Sequence, residues 1–248
     1  GKIKAKEYVL ETIKLLIKVA KEEEDDVQPL LVKDNVGYYD IDDGNYARFF
    51  NEDGTDCGLD SMGNYTLNIG TLTNKDIIID SGSNIKIVGK QGGNGIANGT
   101  ITIGDGAGSA GSVSIENLYI TNFNKNAIVI DQYTSDVSIA NNFIKLTYDD
   151  SFTDSAMGIK TNGFVENIRI LNNTIGMDSA ASYTYAIDLA YYYTWTEHAP
   201  TNAKNFIVAN NSISIISTAA SGMAEALYVD TAIDVEIIKN NVFVKTVN

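Results

Sequence analysis

Val137-Ser138-Ile139-Ala140-Asn141-Asn142-Phe143-Ile144-Lys145-Leu146 is two apolar-x-apolar runs joined by an Asn doublet. The same figure returns at Ile168-Arg169-Ile170-Leu171-Asn172-Asn173-Thr174-Ile175-Gly176-Met177 and at Phe206-Ile207-Val208-Ala209-Asn210-Asn211-Ser212-Ile213-Ser214-Ile215. A fourth doublet, Asn240-Asn241, keeps Ile238 and Phe243 but has Glu236 and Lys245 where apolar residues belong. Val113, Ile115, Asn117 and Ile120 form a partial earlier copy, and Ile85, Ile87 and Gly89 a still earlier one. Between these copies a second figure recurs, Ala-apolar-x-apolar: Ala127-Ile128-Val129-Ile130, Ala156-Met157-Gly158-Ile159, Ala186-Ile187-Asp188-Leu189 and Ala226-Leu227-Tyr228-Val229. Thr100-Ile101-Thr102-Ile103 is an imperfect fifth copy. The two figures alternate in fixed order, which marks a repeat architecture.

The spacing between first Asn residues runs 24, 31, 38 and 30. Such variation excludes a rigid array and fits a solenoid with fixed strands and free loops. Alternation of β-branched residues at period two predicts short strands with one buried face. Two strands separated only by Asn-Asn must meet at a sharp bend, and Asn tolerates the left-handed conformation that a bend requires. Gly89 occupies the corresponding place in an early coil. Stacked in parallel at ~4.8 Å, equivalent side chains lie one above another. The first Asn of each copy (Asn117, Asn141, Asn172, Asn210 and Asn240) is therefore expected to form a buried amide ladder. The expected fold is all-β, a right-handed parallel β-helix solenoid of about six coils.

The phrase Asn84-Ile85-Lys86-Ile87-Val88-Gly89, followed by Gly-rich residues and by Val113-Ser114-Ile115-Glu116-Asn117-Leu118-Tyr119-Ile120-Thr121, resembles the right-handed parallel β-helix, pectin-lyase-like superfamily. Within that superfamily the chain resembles the repeat regions of adhesin-like surface proteins of gut archaea and bacteria. The likeness spans roughly residues 64–248. It implies a fold, and that fold hosts lyases, hydrolases and adhesins alike.

Residues 1–34 differ from the rest, with no Asn before Asn35. Val9, Leu10, Ile13, Leu16, Ile17 and Ala20 draw an apolar stripe at helical spacing, and Pro29 blocks continuation. An N-terminal amphipathic capping α-helix is expected there, with a helix-pair contact or a membrane-surface helix as the other readings of the stripe, followed by an irregular lead-in over 35–63 and the repeats over 64–248. No apolar run is long enough to span a bilayer, and Lys14, Lys18, Glu7 and Glu11 break any signal-peptide core. Gly1 in place of Met is compatible with a leader already removed, so this reading does not argue for the cytoplasm. The formal charge of −14, from 18 Lys+Arg against 32 Asp+Glu, disfavours nucleic acid as a partner. One Cys forms no internal disulfide, and there is no Cys/His cluster for zinc.

Information in a solenoid gathers in its insertions. The stretch from Ile187 to Asn210 is about ten residues longer than its equivalents, and it holds Tyr191, Tyr192, Tyr193, Trp195 and His198. Aromatic faces with polar edges suit sugar rings and protein interfaces, so these five are candidate ligand-binding residues, with Tyr and Trp folding back over the flank of the stack, and a structural or exposed His198, as the alternative. Asp149, Asp150, Asp154 and Asp178 are candidate oxygen donors for Ca²⁺, with plain solvated acid as the alternative, and no other cofactor is implied. Catalytic machinery does not converge: the two Arg are Arg48, before the repeats, and Arg169, expected to point outward between Ser138 and Ile207. The leading functional expectation is a non-catalytic extracellular or cell-surface adhesin-like module that binds glycan or a surface protein. The alternatives are a polysaccharide lyase or glycoside hydrolase acting on acidic polysaccharide, and a structural stalk. Association through the C-terminal coil is a further expectation.

Overall fold

Each apolar-x-apolar run becomes one strand, and the strands sort into three sheets by their order in the repeat. The computed structural model describes residues 31–33, 36–57, 59, 63–80, 84–104, 111–147, 154–190, 203–230 and 232–247. The first sheet has nine strands, the second seven and the third six, and consecutive strands of the chain visit the sheets in rotation. Six coils are complete, each with one strand per sheet, and the strands Ala232–Ile238 and Asn241–Thr246 begin a seventh. Coil-to-coil pairing is parallel throughout. The architecture is thus a parallel-stranded solenoid of the β-helix kind. The exception is Leu31–Lys33, which pairs antiparallel with Val36–Ile41 at the first edge.

Parallel register stacks like on like. Val113, Val137, Ile168 and Phe206 form one interior column, and Ile115, Ile139, Ile170 and Val208 form the next. All eight are buried, and each fully buried aliphatic of this size contributes ~1.5–3 kcal/mol.

The expected capping helix lies outside the described residues. Within the segment expected to be irregular, Val36–Ile41 is a regular strand stacked parallel on Asn64–Ile69. The residues after it close this end of the stack. Tyr46, on a 3₁₀ turn, stacks on Phe50 at 5.3 Å, and Phe49 meets Tyr39 edge-on at 5.7 Å. The Tyr46 hydroxyl donates to the Asp76 carbonyl, and burial pushes its pKa up to about 12.

The Asn doublets divide the labour differently from the expectation. The first Asn of each pair is exposed and adopts the left-handed conformation: φ is 54° at Asn117, 58° at Asn141, 56° at Asn172 and 57° at Asn210. The buried ladder belongs to the second residue, through Asn142, Asn173, Asn211 and then Asn240. Each Nδ2 donates to a carbonyl of the coil below, and those of Asn142, Asn173 and Asn211 donate also to the next Oδ1. Each Oδ1 also accepts the backbone N–H of the preceding rung. The column starts at Leu118, whose N–H donates to Asn142 Oδ1.

The last copy is therefore displaced by one residue from its apparent alignment. Lys239, with φ 52°, takes the corner and Asn240 the rung. Val235, Ile237, Val242 and Val244 then stack in register on Phe206, Val208, Ile213 and Ile215, so the copy is intact. Gly89 sits at the equivalent corner for another reason. Its φ is not positive, but a Cβ there would lie 2.1 Å from the Asn117 carbonyl oxygen. Two further Asx columns share the left-handed corner: Asn74, Asn98 and Asn122 after the second sheet, and Asp136, Asn167, Asn205 and Asp234 at the start of the first.

Candidate functional site

Strands of the second sheet point every other residue away from the core. In three successive coils the outward residue just past the corner is Tyr119, Phe143 and Thr174, in register. Their neighbours Ile120, Ile144 and Ile175 anchor the strands inside. Tyr119 is 54% exposed, and its ring lies 5.4 Å from that of Phe143 at 44°. Beside this aromatic step run the exposed corner residues Asn117, Asn141 and Asn172. Together these residues line a groove of about 360 Å³. One coil earlier the same column holds Gly95, in the left-handed region at φ +72°, where a Cβ would strike the Tyr119 carbonyl at 2.0 Å. The place below Tyr119 in this column accordingly carries no side chain.

A second groove, of about 320 Å³, crosses the outer face of the first sheet. Arg169 stands exposed there between Ser138 and Ile207, as its alternation predicts. Its flank is the Asx column, in which Asn167 Nδ2 donates to Asp136 Oδ1 at 3.0 Å and Asn205 Nδ2 to Asn167 Oδ1 at 2.5 Å.

The third sheet carries a buried carboxylate. Gly158-Ile159-Lys160 aligns with Ala186-Ile187-Asp188, two residues away from the alignment of the Ala-led figure. Lys160 consequently has Asp188 and Val129 as its register neighbours. Asp188 is fully buried, and Tyr228 is its register partner in the next coil. Tyr185 stacks on Tyr228 at 5.1 Å and 19°. Burial lowers the Lys160 pKa, with Asp188 pulling it the other way. The unfolded chain then binds the Lys160 proton more tightly than the folded one. This group therefore makes stability rise with pH between its depressed folded value and the ordinary lysine value.

Of the residues nominated from the sequence, Tyr191, Tyr192, Tyr193, Trp195, His198, Asp149 and Asp150 lie outside the described residues. Asp154 is exposed just before a third-sheet strand, whereas Asp178 lies on a second-sheet strand opposite Ile216. Among the described residues no group of three or more His, Cys, Asp or Glu is placed to hold a metal. Cys57 is exposed, with its thiol pKa raised by partial desolvation and by Asp56, the opposite of an activated nucleophile. Sequence reasoning passed over Tyr119 and Phe143 because both sit at unspecified positions of the repeat. An aromatic residue at an outward strand position was the available signal. In comparisons with known proteins, the chain matches no family model, no curated protein and no solved structure.

Proposed function

We propose that this protein is a non-catalytic, adhesin-like module of the extracellular space or cell surface, binding glycan in the groove beside Tyr119 and Phe143. The observation that carries the reading is the exposed Tyr119–Phe143 step flanked by the Asn117, Asn141 and Asn172 amides. Aromatic faces pack on the C–H faces of sugar rings, and amides offer both donors and acceptors to hydroxyls. The groove lining carries no ionisable group besides the Tyr119 phenol, and the chain is strongly acidic, which suits a neutral glycan over an anionic one. The right-handed winding and pectin-lyase-like kinship belong to the same proposal. They are supported by the near-universal handedness of parallel crossovers and by the three-strand coil.

A second reading, a polysaccharide lyase or glycoside hydrolase, draws on Lys160, Asp188 and the paired tyrosines of the third sheet. Complete burial of Asp188 weighs against it, since a substrate has no access to that carboxylate.

A glycan array probed with the intact chain tests the proposal. Tyr119→Ala combined with Phe143→Ala is expected to weaken any hit by about tenfold or more, equivalent to ~1.4 kcal/mol. The melting temperature should move by less than ~2 °C, because Tyr119 is exposed and Phe143 partly so. A hit lost instead on Trp195→Phe with Tyr192→Ala would move the contact to the long loop. Release of unsaturated uronate or of reducing ends would establish the enzyme, and a blank array would leave a stalk or a protein ligand.

A further inference from the structure

The parallel strands of the first sheet carry three cations, Lys86, Arg169 and Lys204. Two of them have an acid: Lys86 meets Glu116 at 2.8 Å, and Lys204 meets Glu166 at 2.8 Å. Arg169 has none among the described residues. The acids around it are engaged or screened. Glu166 holds Lys204, and Asp136 accepts from Ser135 Oγ on Oδ2 and from Asn167 Nδ2 on Oδ1. Glu236 shares the column of Arg169, but Ile207 stands between them. In a chain with 32 Asp and Glu against 18 Lys and Arg, this exposed arginine thus lines a groove of about 320 Å³ with its fork untaken.

Beside the guanidinium the surface is aliphatic. Ile207 follows Arg169 in the column, and two residues further along the strands the outward positions are Ala140, Leu171 and Ala209, in register. Leu171 and Ile207 are both partly exposed, and none of the described residues lining the groove is aromatic. A guanidinium takes a carboxylate through two parallel hydrogen bonds. A phosphate group carries roughly twice a carboxylate's charge. With a formal net charge of −14 the protein repels such a dianion more strongly. Ile207 and Leu171 call for an aliphatic group next to that carboxylate, whereas a sugar calls for a ring such as Tyr119. Arg169 and Leu171 are two apart on one strand, the interval at which an extended peptide repeats the direction of its own side chains. An acid laid over Arg169 therefore brings the residue two further on over Leu171.

We propose that this groove docks an extended segment of a partner protein, with an aspartate or glutamate on Arg169 and an aliphatic residue two positions away on Leu171 and Ile207. The segment lies along the strands on the outer face of the first sheet. Its site is separate from the Tyr119 groove and does not depend on glycan binding there.

The experiment follows the arginine Nε–H signals of the intact, nitrogen-15-labelled protein by NMR. The chain has two arginines, so Arg48 is an internal control for Arg169. The probe is an end-capped pentapeptide of sequence serine, aspartate, serine, leucine, serine. A saturable shift of the Arg169 signal alone is expected, half-maximal at or below ~3 mM and weakened by added salt. Asparagine in place of the peptide's aspartate should weaken binding about tenfold, and Leu171→Ser in the protein about threefold. Arg169→Gln, an exposed position, should abolish protection of the first-sheet amides by the peptide while leaving the melt in place. Tyr119→Ala with Phe143→Ala should leave peptide binding unchanged, so the two sites fail or stand separately. Three results would overturn the proposal: no saturation by ~10 mM, equal binding of the asparagine peptide, and tighter binding of a uronate trisaccharide than of the peptide at Arg169. The last would give the groove to an acidic glycan instead.

Discussion

Asn173→Leu is expected to lower the unfolding free energy by about 3–5 kcal/mol, while Asn240→Leu lowers it by about 1 kcal/mol. The two residues hold equivalent positions in one column, and Leu118 shows that leucine fits it. They differ in what surrounds them. Asn173 makes four side-chain hydrogen bonds inside the stack: to the Ile139 carbonyl, to Asn211 Oδ1, and from the N–H and Nδ2 of Asn142. Leucine there removes all four and strands partners that water does not reach, since Asn142 and Asn211 are themselves buried. Asn240 is only half-buried, so water replaces much of what its substitution removes. Urea denaturation at unchanged slope is the measurement. A loss below ~1 kcal/mol for Asn173→Leu would mean that the amide column does not constrain the interior.

The same column explains how far the sequence could be read. Alternation and the recurrent doublet are local, so coils, sheets and their order follow from the residues alone. Which Asn lies inside is harder. Counting alternation forward from Val137 and Ile139 points Asn141 inward, whereas counting backward from Ile144 and Leu146 points Asn142 inward. The left-handed residue at the corner resets the parity, and it is the first of the pair. Two residues carried the answer: Leu118, apolar at the second position, and Lys239, charged at the first. The one-residue shift of the last copy hid the second clue and made an intact coil look degraded. The site was less legible still. Tyr119 and Phe143 become a groove only when coils 24 residues apart stack in register. Lys160 met Asp188 only after the third-sheet figure was slid by two residues, because Ala156 and Gly158 are both small enough to stand for the repeat's alanine.

The Lys160–Asp188 pair gives the second large effect, and an asymmetric one. Lys160→Met is expected to cost about 3 kcal/mol, against about 1 kcal/mol for Asp188→Leu. Removing the ammonium leaves Asp188 fully buried without the cation that faces it across the strands, and a buried carboxylate so left is strongly destabilising. Removing the carboxylate leaves Lys160 partly exposed, free to turn its charge to water, with the attraction of Asp131 retained. The double variant Lys160→Met with Asp188→Leu should return to within ~1 kcal/mol of the parent, because two apolar side chains in register satisfy each other where one charge cannot. It should also lose the rise of stability with pH that the depressed Lys160 value produces at the alkaline end. Recovery in the double variant with glycan binding intact would identify the pair as part of the scaffold. Should the double variant keep full stability and yet abolish a measured turnover, the third sheet would carry catalysis, and the binding-module reading would fall.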